Sequence, residues 1–440
     1  MKYVALLLLT LSTTLLKAQE PQPPLKQLIQ AGKFFDSEAG EFKLNISIFI
    51  TDYEITAVKP NANVTTEDKK GYTVIDLSQY AVLPGLIDAH THLLSREVLH
   101  PESLYQGLDM AKVLTMEGDA YRAIYGSVRA KAYLEAGITA VQDLGNSGQF
   151  ADIALRKAIR EGLVPGPRMR CSGPGLSSEG GQLPGLIYKH RDLVNDEYRV
   201  VKSVDDAIQA VRENVTQGAD VIKIYSNNTP NNTMLSVDEM KAIVKEAHNY
   251  GIRVTAHATN NRAVYNAVIA GVDGIEHGYQ VDDSTLALMA AKKVILVPTD
   301  CDSATFTRMV TLLYPGMKNS AEIGVGWRKS LVERFKRALK QGVIIAAGSD
   351  DYVDFKMPFA EASKRTLIGY YESGAKITQV LQFATVNASK QLNWSNKIGV
   401  IKPGYLADII AVDFDLDKNI NAIMNVHFVM ADGKVVKGGK

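Results

Sequence analysis

The chain is expected to fold as an α/β protein, a (β/α)8 TIM-like barrel carrying a small β-sandwich domain made by both chain ends. Three observations predict this. Eight short apolar runs between residues 83 and 390 alternate with stretches of helical periodicity. Five of these runs close on a group able to bind a metal or move a proton. The flanking ends instead alternate apolar and polar residues in short runs separated by turn-prone residues.

In chain order, residues 1–18 read as a secretory signal, with Lys2, the apolar stretch Val4 to Leu16, and Lys17-Ala18-Gln19 at the cut. That stretch is shorter than the roughly 20 apolar residues a spanning helix needs. Cleavage after Ala18 is therefore expected, giving an exported, periplasmic or secreted protein with no membrane span. No cysteine lies near the cut, which argues against a lipid anchor.

The next segment, 19–82, carries runs such as Asn45-Ile46-Ser47-Ile48-Phe49-Ile50 and Tyr72-Thr73-Val74-Ile75-Asp76-Leu77. The last segment, 391–440, repeats the style with Ala407-Asp408-Ile409-Ile410-Ala411-Val412 and the Asp432-Gly433 turn. Two β-rich ends enclosing a longer middle suggest one small domain assembled from both.

Between them, residues 83–390 hold the expected barrel. Its strands are predicted at Ala81 to Ala89, Ala140 to Leu144, Arg168 to Ser172, Val221 to Tyr225, Arg253 to Ala258, Gly274 to Glu276, Ile295 to Thr299 and Val343 to Ala347. Helices are expected between them, among them Val204 to Gln217, Val237 to Tyr250 and Arg328 to Gln341. An open doubly wound sheet would not easily bring units one, four, five, six and eight to one point, whereas a barrel's active site gathers the downstream ends of all its strands.

Composition excludes several partners. The 440 residues balance 49 Lys+Arg against 48 Asp+Glu, without the basic stripe or interleaved aromatics that nucleic-acid binding would need. Two cysteines, Cys171 and Cys301, are no disulfide framework and are expected as buried free thiols.

The chemistry starts at Pro84-Gly85-Leu86-Ile87-Asp88-Ala89-His90-Thr91-His92. Side chains two apart on a strand leave the same face, so His90 and His92 can reach one point, and neutral imidazoles there suit a zinc-like ion. His257, His277, Lys223 and Asp350 close other strands in the same way. Combined with the closing run Lys397 to Asp408, this ordered set resembles the amidohydrolase superfamily of metal-dependent hydrolases, nearest its prolidase-like and imidazolonepropionase-like members.

That resemblance implies two divalent metal ions. His90, His92 and Asp350 would hold one, and His257 and His277 the other. Lys223, carboxylated by CO2, would bridge them, because an ammonium beside dications is disfavoured while a neutral amine can take up CO2. Zinc is the expected metal, although such donors also accept manganese or cobalt. Asp350 would serve as general acid and base. It is preferred over Asp351 because it directly follows Gly348-Ser349, where the family places its aspartate. The implied reaction is hydrolysis of a C–N amide bond in a small molecule or peptide, and homo-oligomers are common among such chains.

Substrate contacts are expected from Gln182, Thr259 and Tyr225. The loop Gly173 to Gln182 resembles a family loop that usually ends Gly-Gly-His, and Thr259 stands where dipeptide-cleaving relatives often have tyrosine. Tyr225, two residues past Lys223, is a candidate substitute. Two alternatives stand beside this reading. One is a mononuclear deaminase or imidazolone-ring hydrolase, opposed by Lys223 and by Asn260, where a His-X-X-Glu pattern would need glutamate. The other is a non-catalytic binding module, opposed by the retention of all six ligands.

Overall fold

Gly85 divides what reads in the sequence as one apolar run. The expected strand Ala81 to Ala89 is two strands in different sheets, Thr73–Pro84 in the sheet of the chain ends and Leu86–Thr91 in the parallel set. A β-carbon on Gly85 would sit 2.1 Å from Thr139 Oγ1, so the chain crosses here only as glycine. The computed structural model describes residues 23–99, 108–183, 186–229 and 231–438, and the expected signal segment 1–18 lies outside these.

The two chain ends do meet. Their strands run, side by side, Lys434–Lys437, Val426–Ala431, Ile409–Asp413, Thr73–Pro84, Lys26–Asp36, Glu41–Thr51 and Glu54–Pro60. The junction is the antiparallel pairing of Ile410 with Leu83. Where a sandwich is expected, the hydrogen bonding gives one continuous seven-stranded sheet. Ile29, Ala31, Ile48, Ile50, Leu77, Phe428 and Met430 form its own apolar core. Phe35, Leu83, Ile410, Val412 and Val429 join the main core instead, so alternate residues of these strands serve different cores.

Leu86–Thr91, Ile138–Asp143 and Arg168–Cys171 pair in parallel. Val221–Tyr225, Arg253–Asn260, Gly274–Gln280 and Ile295–Val297 do likewise. Two short strands, Gly175–Ser177 and Tyr198–Val200, extend the second set and are not anticipated by the sequence pattern. Asp220 N donates to Cys171 O at 2.8 Å, linking the two sets.

The eighth expected strand, Val343 to Ala347, is not a regular one, and among the described residues its ladder contact is the isolated bridge Leu296 to Ile345. It is nevertheless bonded on both sides. Leu296 N donates to Ile344 O at 2.8 Å, and Ala89 N donates to Ala347 O at 2.8 Å. Parallel strands with intervening helices in this order are consistent with a TIM-barrel-like fold.

Helix ends follow local chemistry. Ser236 and Glu239 form a reciprocal capping box on Val237–Asn249. Ser203 caps Val204–Gln217, which ends at left-handed Gly218. The helix expected from Arg328 begins earlier and spans Ser320–Lys340. Cys171 is buried, Cys301 half-buried, and both are free. No helix among the described residues is long and apolar enough to cross a membrane.

Candidate metal centre

The first strand's register shifts between Asp88 and Thr91, an irregularity of the kind that re-aims side chains beside active sites. Here both rings turn their Nε2 atoms inward. His92 Nδ1 donates to Gly145 O at 2.7 Å, leaving Nε2 as its free nitrogen. His90 Nδ1 lies 2.7 Å from Glu276 Oε2.

The direction of that second bond is set from outside. Gln391 Nε2 can only donate, and it donates to Thr255 Oγ1 at 3.2 Å. Thr255 Oγ1 then donates to Glu276 Oε1, and with Glu276 ionised its Oε2 accepts from His90 Nδ1. The two Nε2 atoms lie 3.2 Å apart. Asp350 Oδ1 stands 3.3 Å from the first and 3.1 Å from the second.

With Nδ1 the donor in both rings, three lone-pair atoms face one another at contact distance. Such a cluster repels itself unless a cation lies between, and backing of each Nδ1 by an acceptor is the usual support of a metal-binding imidazole. The donor set therefore fits a divalent metal ion.

The remaining expected residues gather around this point. His277 Nδ1 is 3.9 Å from Asp350 Oδ2, 2.9 Å from Thr299 Oγ1 and 3.2 Å from the Tyr279 hydroxyl. One donor atom from each of His90, His277 and Asp350 falls within 4.8 Å of the others. Lys223 Nζ is 3.5 Å from His90 Nε2. The His257 ring centroid lies 4.7 Å from that of His277.

Gln182 reaches the same place: its Nε2 donates to His257 Nε2 at 3.1 Å while its Oε1 accepts from Thr229 N at 2.7 Å. Thr259 is tied to Asn227 by two hydrogen bonds, of 2.8 and 3.1 Å. Tyr225 is buried, its ring 5.2 Å from that of His257 and its hydroxyl donating to Asn146 Oδ1 at 3.3 Å.

Burial sets the charge states. It pushes His90, His257 and His277 well below the ordinary imidazole range, with Lys223 adding to this at His90 and His257 and His257 itself at His277. Burial also lowers the Lys223 amine, against the pull of Glu276 and Asp350. At Asp350 burial works upward, but His90, His92 and Lys223 outweigh it and hold the carboxyl below its usual value. Burial thus favours the neutral imidazole at His90, His257 and His277, while Asp350 stays a carboxylate.

The choice between neighbouring aspartates is clear in three dimensions. Asp351 turns away, accepting from the Tyr133 hydroxyl at 2.6 Å and facing Arg129 at 3.3 Å. Asn260, standing where a glutamate would mark the mononuclear pattern, caps the helix Asn261–Ala270 by accepting from Ala263 N. Glu276, Thr255, Gln391, Tyr279 and Thr299 are missed by sequence reasoning. Only Glu276 carried a signal, as the acid preceding His277. Among the unassigned histidines, His190 is exposed, His248 and His427 pair with Asp273 and Asp413, and His100 lies outside the described residues.

Parallel strands that bring His90, His277 and Asp350 together at their downstream ends form a group that could hold a metal ion in an α/β protein. The chain belongs to the amidohydrolase family, whose sequence profile matches residues 81–436. It is 25% identical over 445 residues to ochratoxinase from Aspergillus niger, covering 93% of this chain and 86% of that protein. It is also 25% identical over 385 residues to imidazolonepropionase from Solibacter usitatus, covering 83% of this chain and 84% of that one. The crystal structure of a Xaa-Pro dipeptidase with methionine bound in its active site superposes with a TM-score of 0.78 at 28% identity, covering 94% of this chain and 100% of the other. Family and relatives together support a hydrolytic enzyme.

Proposed function

We propose that the chain is a metal-dependent hydrolase of C–N amide bonds in small substrates: a dipeptide such as Xaa-Pro, an N-acyl amino acid or a cyclic amide. The observation that carries this is the convergence of His90 Nε2, His92 Nε2 and Asp350 Oδ1, each within 3.3 Å of the others. The strands are read as closing into a (β/α)8 barrel over 83–390, supported by the bonds that join Val343 to Ala347 to strands on both sides. The sheet of the chain ends, 19–82 and 391–440, is read as folded over its private core into a sandwich, supported by its register shifts at Ala31/Lys33 and Phe49/Ile50. Residues 1–18 are read as an export signal.

In this reading His90, His92 and Asp350 would hold one zinc ion and His257 and His277 a second, with carboxylated Lys223 as the ligand shared by both. Ions held there would supply a water of lowered pKa and polarisation of the scissile carbonyl. Asp350 takes the proton of the attacking water and passes it to the leaving nitrogen, so that water is added across the C–N bond. The lowered basicity of Lys223 favours its reaction with CO2. Gln182 offers its amide donor to a substrate carbonyl, while Tyr225 and Thr259 shape the surrounding wall. Several substrate classes fit, and the Xaa-Pro dipeptidase and ochratoxinase likenesses favour an amide bond over others.

A mononuclear deaminase or ring hydrolase is the second reading, favoured by the compact group His90, His277 and Asp350, which needs no second ion. Elemental analysis separates the two: two metal ions per chain support the binuclear reading, and one supports the alternative. A screen of dipeptides and N-acyl amino acids then tests the chemistry. If the fully metallated protein hydrolyses no amide, the enzyme reading gives way to a binding module.

A further inference from the structure

We propose that Asp88 is a positioning residue for Asp350, a buried clamp that fixes the turn carrying that carboxylate against the first strand. This rests on the reading of Asp350 as metal ligand and proton acceptor. Asp350 has φ of +55°, a left-handed conformation that aspartate adopts more readily than most residues with a β-carbon, and its surroundings hold it there. The surroundings that do so converge on Asp88.

Its Oδ1 accepts from Ser349 N at 3.0 Å and from His90 N at 3.1 Å. Its Oδ2 accepts from Ser349 Oγ at 2.6 Å and from Ser363 Oγ at 2.6 Å. Four donors saturate one carboxylate that is only 3% exposed. Three segments are thereby joined: the strand Leu86–Thr91, the turn through Ser349, and the helix Glu361–Glu372.

The clamp is continuous with the site. Ser349 Oγ also accepts from Asp351 N at 3.2 Å, and Asp350 N donates to His90 O at 2.8 Å. A β-carbon on Gly348 would come within 2.8 Å of His90 Cβ, so the turn lies directly against the ring it must face. With Asp88 gone, Ser349 keeps its contacts to His90 O, 3.2 Å from N and 3.5 Å from Oγ, and the bond from Asp351 N, but loses its two bonds to the carboxylate, and the turn that sets Asp350 Oδ1 against the two Nε2 atoms is held less tightly. Asp88 itself touches neither substrate nor reacting atoms in this scheme.

The test is a double-mutant cycle read on zinc affinity, measured by chelator competition on reconstituted protein and needing no substrate. Asp88→Ala is expected to weaken zinc binding about 10-fold or more. It should also lower kcat, with KM within about twofold of wild type for an amide found in the screen. In the Asp350→Asn background, Asp88→Ala should cause no further loss of zinc affinity. Ser363→Ala, which removes one of the four bonds, should show a smaller effect in the same direction and serves if Asp88→Ala does not fold.

Wild-type zinc affinity in both Asp88→Ala and Ser363→Ala would overturn the proposal. So would losses that multiply with Asp350→Asn, because a general scaffold defect acts independently of that carboxylate. Unchanged zinc affinity in Asp350→Asn alone would sink the reading of Asp350 beneath it, and the positioning role with it.

Discussion

The sheet of the chain ends buries apolar side chains along its ladders, whereas the rim that carries His90, His92 and Asp350 buries ionisable ones. In the sheet, left-handed residues are of the types that tolerate it, Asn45, Asp52 and Asp432. At the rim they are His277 and Asp350, of types that tolerate it too, and Thr299. Thr299 is β-branched, for which that conformation is a true outlier. The sheet's core is aliphatic and aromatic. Beneath the rim lie Asp88, Asp143, Asp152, Glu276 and Asp300, all buried. Local rules of propensity and burial hold where the chain only has to fold, and they are broken where it has to hold a reactive site.

The largest break in that comparison should come from the rim. Asp350→Asn keeps the size of the side chain but removes the proton acceptor, and kcat is expected to fall about 10³-fold. His257→Asn should abolish turnover as well, with far-UV circular dichroism unchanged in both. Retention of more than about a tenth of wild-type kcat in either variant would contradict the assigned roles.

The sheet should answer in the opposite currency. Phe428 is 1% exposed in the sheet's private core, so Phe428→Ala should cost about 3–5 kcal/mol of stability in urea unfolding. Turnover per folded molecule should stay as it was. A fall in kcat without loss of stability would mean that the sheet and the rim are coupled, and the comparison would fail.

The same contrast governs how much was legible in the sequence. The helices Val204–Gln217 and Val237–Asn249 and the strand Val221–Tyr225 follow from periodicity and caps, because short-range patterns determine them. His90, His92, Lys223, His257, His277 and Asp350 stood out because each closes an apolar run. The break at Gly85 did not, since Thr139, the reason for it, is far along the chain and the flanking runs are equally apolar. Gly175–Ser177 and Tyr198–Val200 are too short to show a period. The groups that orient the site were the least legible. Glu276 meets His90 across 186 residues and Asp88 meets Ser349 across 261, and a buried acid in an apolar run gives no sign of its partner.

Those buried acids should also make the rim the source of pH-dependent stability, and Asp152 isolates the effect away from the metal-binding groups. It is fully buried at the start of the helix Ala151–Arg160, accepting from Gly173 N at 2.9 Å and from Ile153 N at 2.8 Å. Burial, with nearby Asp143 adding to it, pushes its carboxyl up to about 7. In the unfolded chain an aspartate titrates near about 3.9. Between these values the folded state keeps a proton that the unfolded state has released. The contribution of Asp152 to stability is therefore full below about pH 4 and is lost as pH rises through about 7, a change of up to about 4 kcal/mol. Asp152→Asn, which cannot ionise, should flatten that part of the profile in urea unfolding at pH 4.5, 6 and 8. Parallel profiles for variant and wild type would show that Asp152 is ionised in the folded state, its two backbone donors then outweighing its burial.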